Sequence, residues 1–213
     1  MTAEAFVPEG AALDELRRAV QDCRGCPLYE DTTQAVFGEG PGDARILVVG
    51  EQPGDIEDRR GHPFVGPAGR VLDRALGAAG LDRSAVYVTN AVKHFKHRPA
   101  APGKRRIHQT PDRTEIVACR PWLVAEFARI RPHRVVALGA TAAKALLGPA
   151  FRVTRDHGVP LPWPASAENP ADFPSAEDAV LVATIHPSAV LRADDRDAVF
   201  DGLVADLRAV PKV

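Results

Sequence analysis

Four short apolar runs, Arg45–Val49, Ala85–Thr89, Arg134–Leu138 and Ala179–Ile185, recur along the chain with helical periodicity between them. A strand without polar alternation is buried on both faces, and such strands separated by helices specify a parallel sheet covered on both sides. The expected fold is therefore α/β, a three-layer α/β/α sandwich around a four-stranded, mostly parallel sheet. The helices are expected at Ala12–Asp22, Ala68–Ala79, Thr114–Arg129, Thr141–Leu147 and Asp197–Ala209. With 213 residues and 45% hydrophobic content, the chain suits one domain over 1–213 with a substantial core. Ala35–Asp43 reads as a loop, and Gly158–Pro174, with five prolines, as an irregular surface excursion.

The first strand runs into Gly50-Glu51-Gln52-Pro53-Gly54-Asp55 and then Gly61-His62-Pro63-Phe64-Val65-Gly66-Pro67. Pro53 fixes one turn, and Phe64 sits in a second turn between Pro63 and Gly66. The second strand ends at Asn90 and the fourth at His186-Pro187-Ser188. Each residue alone has an ordinary reading: a cap carboxylate, a turn asparagine, a loop histidine, a core phenylalanine. Together, Glu51, Asn90 and His186 fall just past the carboxyl ends of parallel strands, where open α/β sheets bind ligands.

The formal net charge is -1, yet from Arg83 to Pro111 there is no Asp or Glu. Arg83, Lys93, Lys96, Arg98, Lys104, Arg105 and Arg106 lie in that interval, and Lys93 to about Pro111 reads as a basic loop. A local basic face on a near-neutral chain suits a bound polyanion; a solvated loop is the alternative. Three cysteines are too few and odd in number for a disulfide framework, so Cys23-Arg24-Gly25-Cys26 reads as a metal or redox motif. No apolar stretch is long enough to span a bilayer, and Met1–Phe6 lacks a basic region followed by an apolar run. The chain is expected to be soluble and cytosolic.

Gly50-Glu51-Gln52-Pro53-Gly54, Asn90 after a strand, and His186-Pro187-Ser188 resemble the signature elements of the uracil-DNA glycosylase superfamily. Cys23-x-x-Cys26 makes the chain most similar to the iron–sulfur branch called family four. Lys104-Arg105-Arg106-Ile107-His108-Gln109-Thr110-Pro111 looks like the loop of the UdgX subgroup, whose members excise uracil and become covalently attached to the abasic site through the loop histidine.

The resemblance implies a role for each matching residue. His186 would donate to uracil O2, Asn90 would read the N3–H and O4 edge, and Phe64 would stack on the flipped base. Gly50 and the backbone at Gln52 would contact the base, with Gln52 near the reacting sugar. Glu51 would hold a water or polarise a nucleophile, and His108 would take the sugar carbon. At least one of Lys104, Arg105 and Arg106, together with Ser188, would contact DNA phosphate; an internal contact pinning the loop is the other reading.

Family four carries four cysteines on a [4Fe–4S] cluster, and this chain has three. Cys23, Cys26 and Cys119 match three of them, and His94 stands where the fourth is expected. His97 is the second candidate, and a Cys₃His zinc site is the chemical alternative. The implied partner is uracil-containing DNA, single- or double-stranded, bound by a monomer. A conventional turnover glycosylase whose loop only binds phosphate stays open, as does a non-catalytic iron–sulfur DNA-binding or sensor module.

Overall fold

The computed structural model describes residues 2–98, 106–163 and 173–212. Helix α1 (Leu13–Ala19) starts where the Glu15 carboxylate takes the Ala12 N–H at 2.8 Å. It tightens into a 3₁₀ turn over Val20–Asp22, which delivers the chain to Cys23. Strand β1 (Ile46–Gly50) leads into α2 (Asp55–Arg60), a short helix within what reads from the sequence as a turn. Pro67 opens α3 (Pro67–Ala79), a first-turn position where its missing N–H costs nothing. Strand β2 (Val86–Asn90) follows.

The expected basic loop contains an antiparallel hairpin, β3 (His97–Arg98) with β4 (Ile107–His108), which pairs His97 with His108. Helix α4 (Arg113–Ile130) begins with a reciprocal cap: Asp112 accepts the Glu115 N–H at 3.1 Å, and Glu115 accepts the Asp112 N–H at 2.8 Å. The helix continues through Pro121, which cannot bond the Val117 carbonyl; Val117 is exposed, so water can reach it. After it come β5 (Arg134–Leu138), α5 (Gly139–Leu147), α6 (Val153–Asp156), β6 (Pro160–Pro162), β7 (Val180–Thr184), α7 (Ser188–Arg192) and α8 (Arg196–Arg208). Among the described residues no helix is long and apolar enough to cross a membrane.

The main sheet has the order β2-β1-β5-β7-β6. Its first four strands are the expected ones and are mutually parallel, in register Gly50↔Asn90, Val49↔Ala137 and Ala137↔Ala183. The expected four-stranded sheet gains a fifth member, β6, antiparallel to β7 and drawn from the proline-rich segment. Prolines cannot donate to a central ladder, but Pro160 and Pro162 are tolerated because β6 lies at the edge. Nor does that segment stay on the surface: Trp163 and Phe173 bury against Phe127, with ring centroids 5.0–6.1 Å apart. Residues 164–172 between them lie outside the described residues.

Alternate residues of β1 serve opposite layers, which explains its unbroken apolar character. Leu47 and Val49 join Leu123, Phe127 and Leu146 of α4 and α5, while Ile46 and Val48 join Leu72, Leu76 and Leu203 of α3 and α8. A smaller cluster of Leu16, Val20, Phe37, Cys23, Cys119 and Trp122 fastens the N-terminal segment to α4. From β1 the chain crosses to β2 on one flank and returns to β5 on the other, so the strand order reverses at β1. A crevice opens at the carboxyl ends of the strands beside such a reversal.

Candidate active site

A cavity of about 980 Å³ occupies that crevice, and Glu51, Gln52, Phe64, Asn90, His108 and His186 all line it. Arg106 and Ser188 also reach its wall. Residues from four separate elements therefore converge as their sequence positions imply. Gly50 lies beneath the cavity floor. A Cβ there would overlap Asn90 Oδ1 and stand 2.6 Å from Phe64 Cζ, so only glycine lets these two side chains close together.

Phe64 adopts a left-handed φ of 56°, a conformation that costs a non-glycine residue about 1–3 kcal/mol and persists only where its surroundings enforce it. Two contacts do so here. Glu57 accepts the Gly66 N–H at 2.8 Å, and the bare Cα of Gly69 lies against the Phe64 carbonyl. A Cβ on Gly69 would overlap that carbonyl, a backbone group that cannot swing aside. Gly69→Ala is expected to cost about 1–3 kcal/mol in urea denaturation, as overpacking does. An unchanged midpoint would show that the turn has slack.

Asn90 is 3% exposed, and its side-chain amide has no hydrogen-bond partner among the described residues. The amide lines the cavity, where a group that enters can meet both its oxygen and its nitrogen. The rings of Phe64 and His186 face each other with centroids 6.4 Å apart and planes 29° apart. Burial pushes the His186 pKa down to about 4, helped by Arg192 and His108, and the ring is neutral at pH 7. Its Nδ1 accepts the Ser188 backbone N–H at 3.2 Å and lies 2.7 Å from Ser188 Oγ. Arg192 Nη1 donates to that same hydroxyl oxygen at 2.9 Å. With Nδ1 an acceptor, the proton of the neutral ring sits on Nε2, which becomes a donor. Ser188, expected at phosphate, thus orients His186.

Glu51 carries two contacts. Oε1 lies 3.3 Å from His108 Nε2, and Oε2 accepts the Thr141 hydroxyl at 2.5 Å. Burial lowers the His108 pKa against the opposing pull of Glu51, so this ring too is neutral at pH 7. Gln52, expected beside the reacting sugar, has its side chain committed elsewhere. Its Nε2 donates to the carbonyls of Gln109 at 3.0 Å and Lys96 at 3.2 Å, and its Oε1 accepts the Lys96 N–H at 2.8 Å. An amide saturated with backbone bonds fastens the His108 hairpin to the sheet.

Arg106 likewise departs from the phosphate role. Its Nε bonds Asp55 Oδ1 at 2.5 Å, its Nη2 bonds Asp58 Oδ2 at 2.7 Å, and its guanidinium lies 5.3 Å from the Phe95 ring centroid. It is the internal pin of the hairpin. Lys104 and Arg105 lie outside the described residues.

The basic interval is less cationic than its sequence suggests. Lys96 pairs with Glu115 and Asp112, Arg83 with Asp73, and Lys93 is wholly buried against Glu126. Lys93 Nζ also donates to Thr89 Oγ1 at 2.7 Å and the Asn90 carbonyl at 2.8 Å, while Glu126 accepts from Tyr87, Thr89 and the Gly38 N–H. Nothing local in the sequence marks this network, because Glu126 lies a whole helix away from Lys93. Thr141, Lys144 and Arg192 line the cavity as well and were missed. The one available signal was that Gly139-Ala140-Thr141 follows a strand just as Gly50-Glu51 does.

Residues 37–208 match the family model described as the uracil DNA glycosylase superfamily. The chain belongs to that superfamily. A type-4 uracil-DNA glycosylase of Thermotoga maritima is 38% identical over 174 residues, covering 81% of this chain and 80% of the relative. Another, from Sulfurisphaera tokodaii, is 35% identical over 185 residues, covering 84% and 76%. One from Pyrobaculum aerophilum is 42% identical over 135 residues; that match covers 63% of this chain and, at 64%, just under two thirds of the relative.

In this superfamily member Cys23 and Cys119 belong to the cluster that fastens the N-terminal segment to α4. Cys23 and Cys119 are buried, and each sulfur accepts an N–H at 3.2 Å: Cys23 from Trp122 Nε1, Cys119 from the Lys93 backbone. Burial raises the Cys119 pKa to about 12, and both Cys26 and Cys23 lie near enough to raise it further. His94 is buried, and burial pushes its pKa down to about 4 against the opposing pull of Asp58, with Arg24 adding to the fall. The His97 ring nitrogens instead face the carbonyls of Asp31 at 2.9 Å and Arg98 at 3.1 Å. Two buried thiols that accept N–H groups, the half-buried thiol of Cys26 and a neutral imidazole are the donor types that an iron–sulfur ligand set uses. Among the described residues no three His, Cys, Asp or Glu side chains converge as a single metal ion requires.

Proposed function

We propose that this chain excises uracil from DNA and then holds the abasic sugar covalently on His108. The observation that carries the reading is one cavity holding three things: the unpartnered Asn90 amide, the Nε2–H of His186, and the His108–Glu51 pair 3.3 Å apart. Membership of the superfamily and the type-4 relatives support the excision half. The capture half rests on the hairpin motif and on the placement of His108.

A base in a duplex must leave the stack to reach such a cavity. Phe64 offers its ring as a platform, and the Asn90 amide matches the acceptor-and-donor edge of uracil at O4 and N3–H. Cytosine presents the reversed pattern and is rejected by the same amide. As the bond between sugar C1′ and N1 breaks, its electron pair leaves with the base, and negative charge gathers on O2. The His186 Nε2–H donates there, a contribution of about 10²–10³ in rate. Glu51 Oε1 takes the proton from His108 Nε2, and the in-plane lone pair so freed on that nitrogen bonds to C1′. The product is a neutral alkylated imidazole with no easily expelled leaving group, so one protein captures one site.

Cys23, Cys26, Cys119 and His94 would hold the cluster, whose role would be to tie the N-terminal segment to the hairpin's base. Excision moves no electron, and no step passes through the cluster. A zinc ion on the same three cysteines and His94 is the chemical alternative. We read the chain as a monomer acting in the cytoplasm on nucleoid DNA, single- or double-stranded. Lys144 and Arg192, which line the cavity, serve as phosphate contacts alongside Lys104 and Arg105.

The test is a denaturing gel after mixing the protein with a uracil-containing single-stranded oligonucleotide, with thymine as control. A heat- and detergent-stable protein–DNA band with uracil only is expected. Alkali-cleavable abasic product without that band would leave a turnover glycosylase, and neither product would leave a non-catalytic DNA-binding module. Yield should also be flat from pH 8 down past 6.5, the ordinary histidine value. Because burial lowers the His108 pKa, the neutral nucleophile survives to lower pH, and the acid midpoint should fall below 6.5. A midpoint above 6.5 would contradict this environment for His108.

A further inference from the structure

Glu51 is held at both oxygens, but only one of its partners belongs to the proposed chemistry. The other is Thr141, a 9% exposed residue on α5 that no base-reading motif includes. We propose that Thr141 is the positioning residue for Glu51: its hydroxyl pins Oε2, keeps Oε1 aimed at His108, and so sets how the sugar cation divides between imidazole and water. This rests on the capture reading given above.

A free glutamate does not hold one acceptor direction, because its terminal torsion is broad and roughly two-fold. An O–H···O⁻ hydrogen bond at 2.5 Å removes that freedom. Thr141 suits the task because a β-branched side chain inside a helix has few χ1 states. Its placement follows from the sheet. Strands β1 and β5 are paired, with Val49 opposite Ala137, so Glu51 and Thr141 leave adjacent strand ends. Gly139 makes the intervening turn at φ 86°, and its missing side chain lets that turn press against His186, whose Cβ would lie 2.9 Å from an added Cβ. One rigid turn thus sets the positions of the carboxylate and of the uracil donor.

His108 comes from the opposite side, on a hairpin fastened by Gln52 and Arg106 rather than by the sheet ladder. Inside the cavity the Glu51–His108 contact joins the two sides, so the carboxylate must be held still for the meeting to be productive. Released from Thr141, it would rotate away from Nε2. Water would then compete for C1′, giving the free abasic sugar with its proton passing to the carboxylate.

Thr141→Val keeps the branch and nearly the volume but loses the hydroxyl, whereas Thr141→Ser keeps the hydroxyl. Under single-turnover conditions with the uracil oligonucleotide, Thr141→Val should form adduct about 10- to 100-fold more slowly, the worth of one hydrogen bond to a charged group. The fraction of free abasic product should rise, while oligonucleotide affinity stays unchanged. Thr141→Ser should restore adduct formation to within about threefold, and Thr141→Ala repeats the test if the valine variant does not fold. Wild-type capture by Thr141→Val, or failure of serine to rescue, overturns the proposal. If the unaltered protein releases uracil without any adduct, the capture reading fails instead, and Thr141 is judged on uracil release. A serine-rescued loss of release then supports its hold on Glu51; an unchanged rate overturns it.

Discussion

His108→Gln is expected to abolish the denaturation-resistant protein–DNA band while uracil release continues. The reasoning is local. Glutamine can keep a hydrogen bond to Glu51, but its amide nitrogen has no available lone pair with which to bond the sugar. Asn90, Phe64 and His186, which lie on other elements, keep their geometry, and the hairpin remains fastened by Gln52 and Arg106. Capture should fall by at least about a thousandfold, because an activated nucleophile is removed rather than a contact. The measurement is a time course that counts free uracil and adduct separately. Release without adduct assigns His108 as the nucleophile. A surviving band would show that another side chain forms the bond, and loss of both signals would mean His108 also takes part in excision.

The largest effect on stability is expected at the buried Lys93–Glu126 pair. Both side chains are fully buried, with Nζ and Oε2 2.5 Å apart. Glu126→Ala strands an ammonium in the interior and leaves the Tyr87 hydroxyl and Gly38 N–H without their acceptor. Breaking such a pair costs about 3–5 kcal/mol, which for a domain of this size lowers the thermal midpoint by about 10 °C. Lys93→Met should cost a similar amount by stranding the carboxylate. The double variant Lys93→Met with Glu126→Leu should be more stable than Lys93→Met or Glu126→Leu alone, because two hydrophobic residues leave no buried charge. Additive losses would show instead that hydrogen bonding to the neighbours dominates. The single variants should also weaken discrimination of uracil from cytosine, since Lys93 holds the Asn90 carbonyl at 2.8 Å.

Both predictions concern contacts between residues far apart in the chain, and their legibility from sequence differs for that reason. His108 was legible because it stands in a continuous run, Lys104 to Pro111, whose order alone carries the resemblance. Glu51, Asn90 and His186 were legible because each directly follows an apolar strand, and parallel strands put their carboxyl ends on one edge. Lys93 was misread as surface charge, and the choice for Arg106 between a phosphate contact and an internal pin stayed open. A cation's sequence neighbours do not reveal that Glu126, or Asp55 and Asp58, will fold against it.

The sequence by itself determined the parallel α/β sheet, the edge on which the site lies, and that Glu51, Asn90 and His186 arrive there. These depend on hydrophobic period and on strand ends, which are local properties. Only the tertiary structure decided what each arriving side chain is free to do. Gln52 and Arg106 are spent on holding the hairpin, Ser188 on orienting His186, and Thr141 on Glu51, while Asn90 is left unpaired. The antiparallel edge strand β6 belongs to the same class, since its prolines are acceptable only where no neighbour needs their donors. A side chain's availability depends on which partners packing brings within hydrogen-bond distance, and those partners come from across the fold.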